Sequence, residues 1–339
     1  MSAPTYLLPM TPLAGSLLED PAHIEGTPEY YARRAKSEAT YKAYRSDIKD
    51  FIAWSGMANP FPTSPEAVAA YLSMHAKSYA PSTLDHRVAA LSYLHKIMGC
   101  PDPTRHPFVR AVLSGIRKDR VDQGWSEEQA PPFSLAQVRA VLDIMGDSLR
   151  ERRDRAYFLV GILGGFRQSE MTALTVERLQ RIEGEGIAIP MGAVKQDPLN
   201  EKKFVTALPL ITRPDSSFCP VAALDAWLGA SGIESGPIFR AISRRGEVGE
   251  AALSHTATND IIKKWVARAG IPDSKRFSGH SLRASFVTIM RSLGVSDALI
   301  ARQTHHTNLD NLMIYDRPES VLRDSPVRAL AEALAAVSG

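Results

Sequence analysis

Cysteine is scarce in this sequence: Cys100 and Cys219 are the only two in 339 residues. Two thiols exclude a disulfide framework and a four-thiolate zinc site, and they suit a reducing compartment as small apolar groups. Long hydrophobic runs are also missing. No stretch reaches 18 apolar residues, so no segment is expected to span a membrane. The opening, "MSAPTYLLPMTPLAGSLLEDPAHIEGTPE", has no basic start, and prolines interrupt its apolar stretches; it reads as an arm and not as a signal peptide. A strong charge of one sign is absent as well. Forty Lys and Arg against 37 Asp and Glu leave +3, so only clustering of the basic groups could mark a nucleic-acid binder. Neither HExxH nor CxxC occurs, nothing repeats at a fixed period, and no segment is of low complexity. What remains is an ordinary globular composition, long enough for two domains with separate cores.

The pattern turns helical from Pro28. Tyr41, Tyr44, Ile48, Phe51, Ile52 and Trp54 fall on one stripe, while Arg33, Arg34, Lys36, Lys42, Arg45 and Lys49 occupy the other face. "SPEAVAAYLSMHAKS" opens with a cap, a proline and a glutamate, which is a helix start, and "APSTLDHRVAALSYLHKIMG" opens similarly. "HPFVRAVLSGIRKDRVDQG" predicts a further helix. Residues 1–26 are therefore an arm, 27–125 a helical domain, 126–134 a proline-bearing linker and 135–339 a second domain. In the second domain, "SLAQVRAVLDIMG" and "ERRDRAYFLVGILGGFRQSEMTAL" predict helices. "GEGIAIPMGAVKQDPLNEKKFVTALPL" alternates short β-branched runs with Gly and Pro, predicting a small antiparallel sheet. Helices are expected to resume from "PVAALDAWLGASG" to the end.

The chemistry-bearing residues each have a bland explanation. His280 and Arg283 form His-x-x-Arg, a spacing common by chance, but "SGHSLRASFVTIMRSLG" sets both at a helix start, where the positive dipole end favours an anion. Arg167 and Glu170 in "GGFRQSEMTAL" could be a surface ion pair. Yet the arginine follows the apolar "YFLVGILGGF" and so emerges beside a core, where it needs an anionic partner. Lys195 in "GAVKQDP" enters a turn, the ordinary place for a solvated lysine. Tyr315, within "LMIYDRPE", suits a packed phenol. His305 and His306 are adjacent, which disfavours their sharing one metal ion.

Taken together, the order Arg–Lys–His-x-x-Arg–His–Tyr, with Tyr315 nine residues after His306, resembles the tyrosine recombinase (phage integrase) superfamily. "SEATYKAYRS", "STLDHRVAALSYLHK", "IRKDRVDQG", "IFRAISRRG", "SGHSLR" and "TNLDNLMIYDR" extend the likeness over nearly the whole chain. The resemblance implies a mainly α, two-domain DNA clamp. A helical core-binding (SAM-like) domain would precede a mostly helical catalytic domain with a small antiparallel β-sheet. It puts the catalytic set on Arg167, Glu170, Lys195, His280, Arg283, His306 and Tyr315. Tyr315 would attack a DNA phosphate and hold it covalently, the two arginines would grip its non-bridging oxygens, and Lys195 would protonate the leaving 5′ oxygen. No metal, nucleotide or other cofactor is required. "QTHH" departs from the family's Leu-Gly-His lead-in, and the spacing to Tyr315 assigns the phosphate contact to His306.

DNA contacts are expected from both domains. Thr40, Lys42, Arg45, Ser82, His86 and Arg87 would face DNA from the first, and Asn259, Lys263 and Lys264 in "TATNDIIKKW" from the second. Double-stranded DNA with inverted-repeat sites is the implied partner, in the cytoplasm of a bacterium or of a cell carrying a phage or plasmid. The tail "RDSPVRALAEALAAVSG" carries Val327, Leu330, Ala331, Leu334 and Val337 on one stripe. In this family the final helix enters a neighbouring protomer, implying a homotetramer on paired sites. The rival readings are a resolvase or type IB-like topoisomerase using the same cradle, and a helical DNA-binding regulator without chemistry. A regulator has no use for a poised tyrosine.

Overall fold

The computed structural model describes residues 31, 35–192, 204–212 and 216–315, and the chain divides into two units, Met1–Glu128 and Gln129–Gly339. The arm before Tyr31, Lys195 and the tail beyond Tyr315 lie outside the described residues.

In the first unit, helix α1 (Glu38–Ser55) begins at Ser37, whose hydroxyl accepts the Thr40 N–H at 3.2 Å. That cap, a serine with extended backbone, sets the start of α1 at Glu38, although the helical pattern in the sequence begins at Pro28. Helices α2 (Pro65–His75), α3 (Pro81–Ile97) and α4 (Pro107–Asp122) each open on a proline in their first turn, where the missing N–H costs nothing. Their inner faces meet at Ile48, Phe51, Tyr71, Leu72, Leu84 and Leu94. Full burial of each such side chain contributes about 1.5–3 kcal/mol.

Arg87, which the sequence places among the DNA-facing residues, is instead a core group of this unit. It is 8% exposed, and its guanidinium donates to Asp50 and to the Tyr71 hydroxyl while stacking 4.0 Å from the Tyr79 ring centre. Its charge is therefore committed internally, as a buried charge must be.

The second unit is built around α6 (Leu149–Gly164). Tyr157, Phe158, Leu159 and Val160 are buried in succession, so the helix is covered on all sides. Helix α5 (Leu135–Asp143) begins with a capping box formed by Ser134 and Gln137. A five-residue helix, α7 (Gln168–Thr172), follows the break at Gly165. Strands β1 (Gln180–Ile182), β2 (Gly186–Pro190) and β3 (Val205–Pro209) form an antiparallel sheet in that order, with Ile187 opposite Leu208 and Ile189 opposite Thr206. These four side chains are buried while their neighbours along each strand are less so, the period-two pattern of a one-sided sheet.

Helix α8 (Pro220–Ser231) packs on α6. The expected run of helices is then interrupted by a second hairpin, β4 (Arg240–Ile242) with β5 (Val248–Ala252). Its turn is closed by Ser243 donating to Glu247 and receiving the Gly246 N–H, with Gly246 at φ 90°. Charged residues around a short β segment hid this hairpin from a reading based on apolar periodicity. Helices α9 (His255–Arg268), α10 (Gly279–Ser292) and α11 (Asp297–Thr304) complete the unit, and a 3-10 segment, Leu309–Tyr315, carries the tyrosine. Gly161 lets α10 approach α6 closely: a Cβ there would lie 2.6 Å from Leu282 Cδ1.

Candidate active site

Arg283 stands one turn into α10 and is almost wholly buried, at 2% exposure. Its guanidinium is held by backbone carbonyls on two sides. Nη1 donates to Gly165 O at 2.7 Å and Nη2 to Thr304 O at 2.6 Å. Gly165 reaches this position because it ends α6 in the left-handed region, φ 63°. A Cβ there would also approach Phe286 and Thr304 to 2.9 Å, so the Gly-Gly break is required twice over.

Arg167 stands at the N-cap of α7, and Glu170 three residues later folds back onto it. The carboxylate accepts the Arg167 backbone N–H at 2.7 Å and Nη1 at 2.6 Å. The same carboxylate lies 4.0 Å from Arg283 Nη1. One anion is thus shared by two guanidiniums, leaving a local positive excess beside a core. Burial first, and then Arg167, lower the Arg283 pKa to about 10, opposed by the nearby Tyr315 and Glu170.

His306 completes the group. The Thr304 hydroxyl donates to Ile300 O at 2.7 Å, so His306 Nδ1–H donates to that hydroxyl at 2.7 Å, leaving Nε2 to accept from Arg283 Nη2 at 3.1 Å. Burial, with Arg283 and Arg167 adding to it, pushes the imidazole pKa down to about 3. The His306 ring meets the Tyr315 ring edge-on with centres 6.2 Å apart. Tyr315 itself packs against a small cluster of Phe286, Val287, Ile300, Ala301 and Leu312. The structure therefore brings together Arg167, Glu170, Arg283, His306 and Tyr315. His280 lies in the first turn of α10, three residues before Arg283, and is exposed.

His305 has a different task from its neighbour. It is 1% exposed, terminates α11 with φ 58°, stacks on Phe204 with ring centres 4.8 Å apart, and its Nε2 lies 3.2 Å from Thr206 Oγ1. It faces the sheet, while His306 faces the arginines.

The candidate DNA contacts are placed less uniformly. Lys42 is exposed on α1, Arg45 is half-buried on the same helix, and the Thr40 hydroxyl lies 2.8 Å from the Ser37 hydroxyl. Ser82 donates to Glu127 at 2.9 Å, and His86 Nδ1 lies 2.6 Å from Asp47. Lys263 is half-buried. The exposed Lys264 pairs at 2.6 Å with Asp154, which also accepts from the Trp265 indole at 2.7 Å and from Arg153. Asn259 is turned inward: its amide oxygen accepts the Gly279 N–H at 2.9 Å. Among the described residues, no group of three or more His, Cys, Asp and Glu side chains could hold a metal ion.

Two arginines on one carboxylate, a neutral imidazole and a phenol whose ring meets that imidazole form a site for a tetrahedral anion with a nucleophile at its side. Residues 133–320 match the phage integrase family, and residues 24–98 match the phage integrase N-terminal SAM-like domain. The chain is 30% identical to an integrase/recombinase xerD homolog of Selenomonas ruminantium over 303 residues, covering 88% of this chain and 86% of the relative. It is 26% identical to the recombinase cre of Escherichia phage P1, covering 84% and 85%. Among solved structures, the Tn1549 transposon integrase with transposon right end DNA shares this fold with a TM-score of 0.61 at 14% identity, covering 95% of this chain and 99% of that one. The XerH site-specific recombinase on palindromic difH substrate gives 0.58 at 16% identity, covering 92% and 83%. The chain belongs to the phage integrase family and is a site-specific tyrosine recombinase, an enzyme that cuts and rejoins DNA.

Proposed function

We propose that Tyr315 is the nucleophile and that Arg167, Glu170, Lys195, His280, Arg283 and His306 form its cradle. The Tyr315 oxygen attacks the scissile phosphorus, a 3′-phosphotyrosyl bond forms, and the 5′ oxygen departs with a proton from Lys195. Arg167 and Arg283 take up the negative charge that builds on the non-bridging oxygens. His306 hydrogen-bonds the same phosphate, His280 assists proton transfer at the phenol, and Glu170 fixes the angle between the arginines. Strand exchange then passes through a Holliday junction between two double-stranded sites with inverted repeats. The observation that carries this reading is the sharing of Glu170 by two arginines beside Tyr315. An isolated structural arginine would be neutralised by its own carboxylate; here the pair retains charge for an incoming phosphate.

The test is a duplex enriched by the protein from a random library and nicked near the cleavage point to trap the adduct. Tyr315→Phe is expected to bind it normally and to form no covalent adduct. An adduct in that variant means another residue is the nucleophile. Exchange between two separately tagged duplexes then separates recombination from relaxation by the same chemistry.

For assembly, the proposed unit is a homotetramer on paired sites, with the tail of one subunit entering the next. In the second unit an apolar cavity of about 340 Å³ lies between α5, α6 and α10, lined by Leu135, Val138, Leu159, Ile289, Met290 and Leu293. Its chemistry matches the apolar stripe of Val327, Leu330 and Leu334, which lie outside the described residues.

A further inference from the structure

Gln168 follows Arg167 directly and is 7% exposed, although nothing in α7 itself needs a buried amide. Its Nε2 points into the start of α9. It meets Thr258 Oγ1 at 2.6 Å, Asn259 Oδ1 at 2.9 Å and His255 O at 2.9 Å. The Thr258 hydroxyl proton already goes to His255 O at 2.9 Å, so its oxygen is free to accept from the glutamine. Asn259 Oδ1 accepts a second bond, from Gly279 N–H at 2.9 Å. Gly279 is the first residue of α10, and its N–H is one of the donors a helix start leaves without an internal partner. The aliphatic stem of Gln168 also lies against Gly279. A Cβ on that glycine would fall 2.7 Å from both Cγ and Cδ of Gln168.

One side chain thus touches three elements that carry or support the site. Its own backbone continues from Arg167. Its amide is anchored on α9, and through Asn259 and its own stem it fixes the residue immediately before His280, one turn before Arg283. We propose that Gln168 is a positioning residue for DNA cleavage, holding the first turn of α10 in register with Arg167 so that the two arginines close on one phosphate. The proposal rests on the catalytic reading of Arg167, His280 and Arg283. A displacement of about 1 Å between such groups costs about 10²-fold in rate while leaving ground-state binding largely intact.

The experiment measures duplex affinity, melting temperature and the single-turnover rate of adduct formation at saturating protein. The full chain and the nicked, library-enriched duplex are used. Gln168→Met keeps the stem and loses the amide; it is expected to cleave about 10–100-fold more slowly, with affinity and melting temperature close to wild type. Asn259→Ala, which removes the acceptor shared by Gln168 and Gly279, should slow cleavage to a similar degree with the melting temperature held. Gly279→Ala should be slow alone, and its penalty, measured against Gln168→Gly alone, should shrink in a Gln168→Gly background, where the added methyl no longer meets Cβ, Cγ or Cδ of residue 168. Arg283→Ala serves as the control, expected to lose about 10²–10³-fold. If Gln168→Met cleaves within two-fold of wild type while Arg283→Ala is crippled, the positioning role is wrong and the catalytic reading stands. If Arg283→Ala also cleaves normally, the catalytic reading itself falls. A parallel loss of rate, affinity and melting temperature in Gln168→Met, with a matching loss of melting temperature in Asn259→Ala, overturns positioning in favour of simple scaffolding. An undiminished Gly279→Ala penalty in the double variant overturns the contact.

Discussion

Burial and two neighbouring guanidiniums keep the His306 imidazole neutral, its pKa pushed down to about 3 from an ordinary 6.5. A histidine with a depressed folded pKa binds a proton more readily in the unfolded chain. Its contribution to stability therefore rises with pH between about 3 and 6.5 and is flat above that window. In the free protein, His306 ring resonances are expected to stay unshifted between pH 5 and 8. A His306 titration midpoint near 6.5 would mean that Arg283 does not face Nε2. The adjacent His305 shows how much one residue can hide. Left-handed backbone costs a residue with a Cβ roughly 1–2 kcal/mol, and the Phe204 stack and the Thr206 contact offset it. "QTHH" by itself does not separate the two histidines, although the spacing to Tyr315 favours the second; in the structure the αL backbone of His305 sends one ring to the sheet and the other to the arginines.

Element by element, what could be read from the sequence was local. Ser64 and the prolines at 65, 81 and 107 state their helix starts within four residues, whereas the Ser37 start is hidden inside a pattern that reads as helical from Pro28. The order and spacing of Arg167, Arg283 and Tyr315 single out three residues that the structure brings together. What escaped was every group whose partner is distant in sequence. Arg87 resembles an exposed helix residue until Asp50 and Tyr71 close over it, and nothing in "TATNDIIKKW" shows that Gly279 takes the Asn259 oxygen. Asp154 is the strongest example. Fully buried on α6, it draws Arg153, Lys264 and Trp265 onto one carboxylate and so locks α9 to α6. Asp154→Ala leaves the Arg153 charge buried without its partner and is expected to cost about 3–5 kcal/mol. Lys264→Ala removes only a half-exposed ammonium and should cost about 1 kcal/mol or less. Urea unfolding of the two variants checks this ordering, and equal losses would mean that the buried carboxylate is not the centre of the network.

At the scale of the whole molecule, a formal charge of +3 says little, and the distribution of basic groups decides binding. If exposed Lys42 touches the DNA backbone, Lys42→Ala should weaken binding to all sequences alike and reduce the slope of log affinity against log salt by about one. A change confined to one base pair would make it a base reader instead. Assembly poses a different requirement, since an enzyme that exchanges strands between two duplexes must keep all its subunits from cutting at once. A cyclic, head-to-tail handover of one segment ties each subunit's state to its neighbour's. Two features of this chain suit such a handover. Leu135 and Leu293, at the cavity between α5, α6 and α10, are 59% and 61% exposed. The tail outside the described residues places Val327, Leu330 and Leu334 at helical spacing after the Ser325–Pro326 start, in a segment too short to be stable alone. Exposed leucines on the second unit and the apolar stripe that the tail's sequence carries are expected to meet between subunits. A chain ending at Asp324, and separately Leu293→Asp, should each fold and bind a single site with wild-type affinity. Both should fail to form the paired complex in native gels and to exchange strands, while still forming the Tyr315 adduct on a nicked duplex. A truncated chain that recombines at the wild-type rate, or that no longer folds, contradicts docking in trans. If Leu293→Asp pairs sites normally while the truncation does not, the tail docks on another surface.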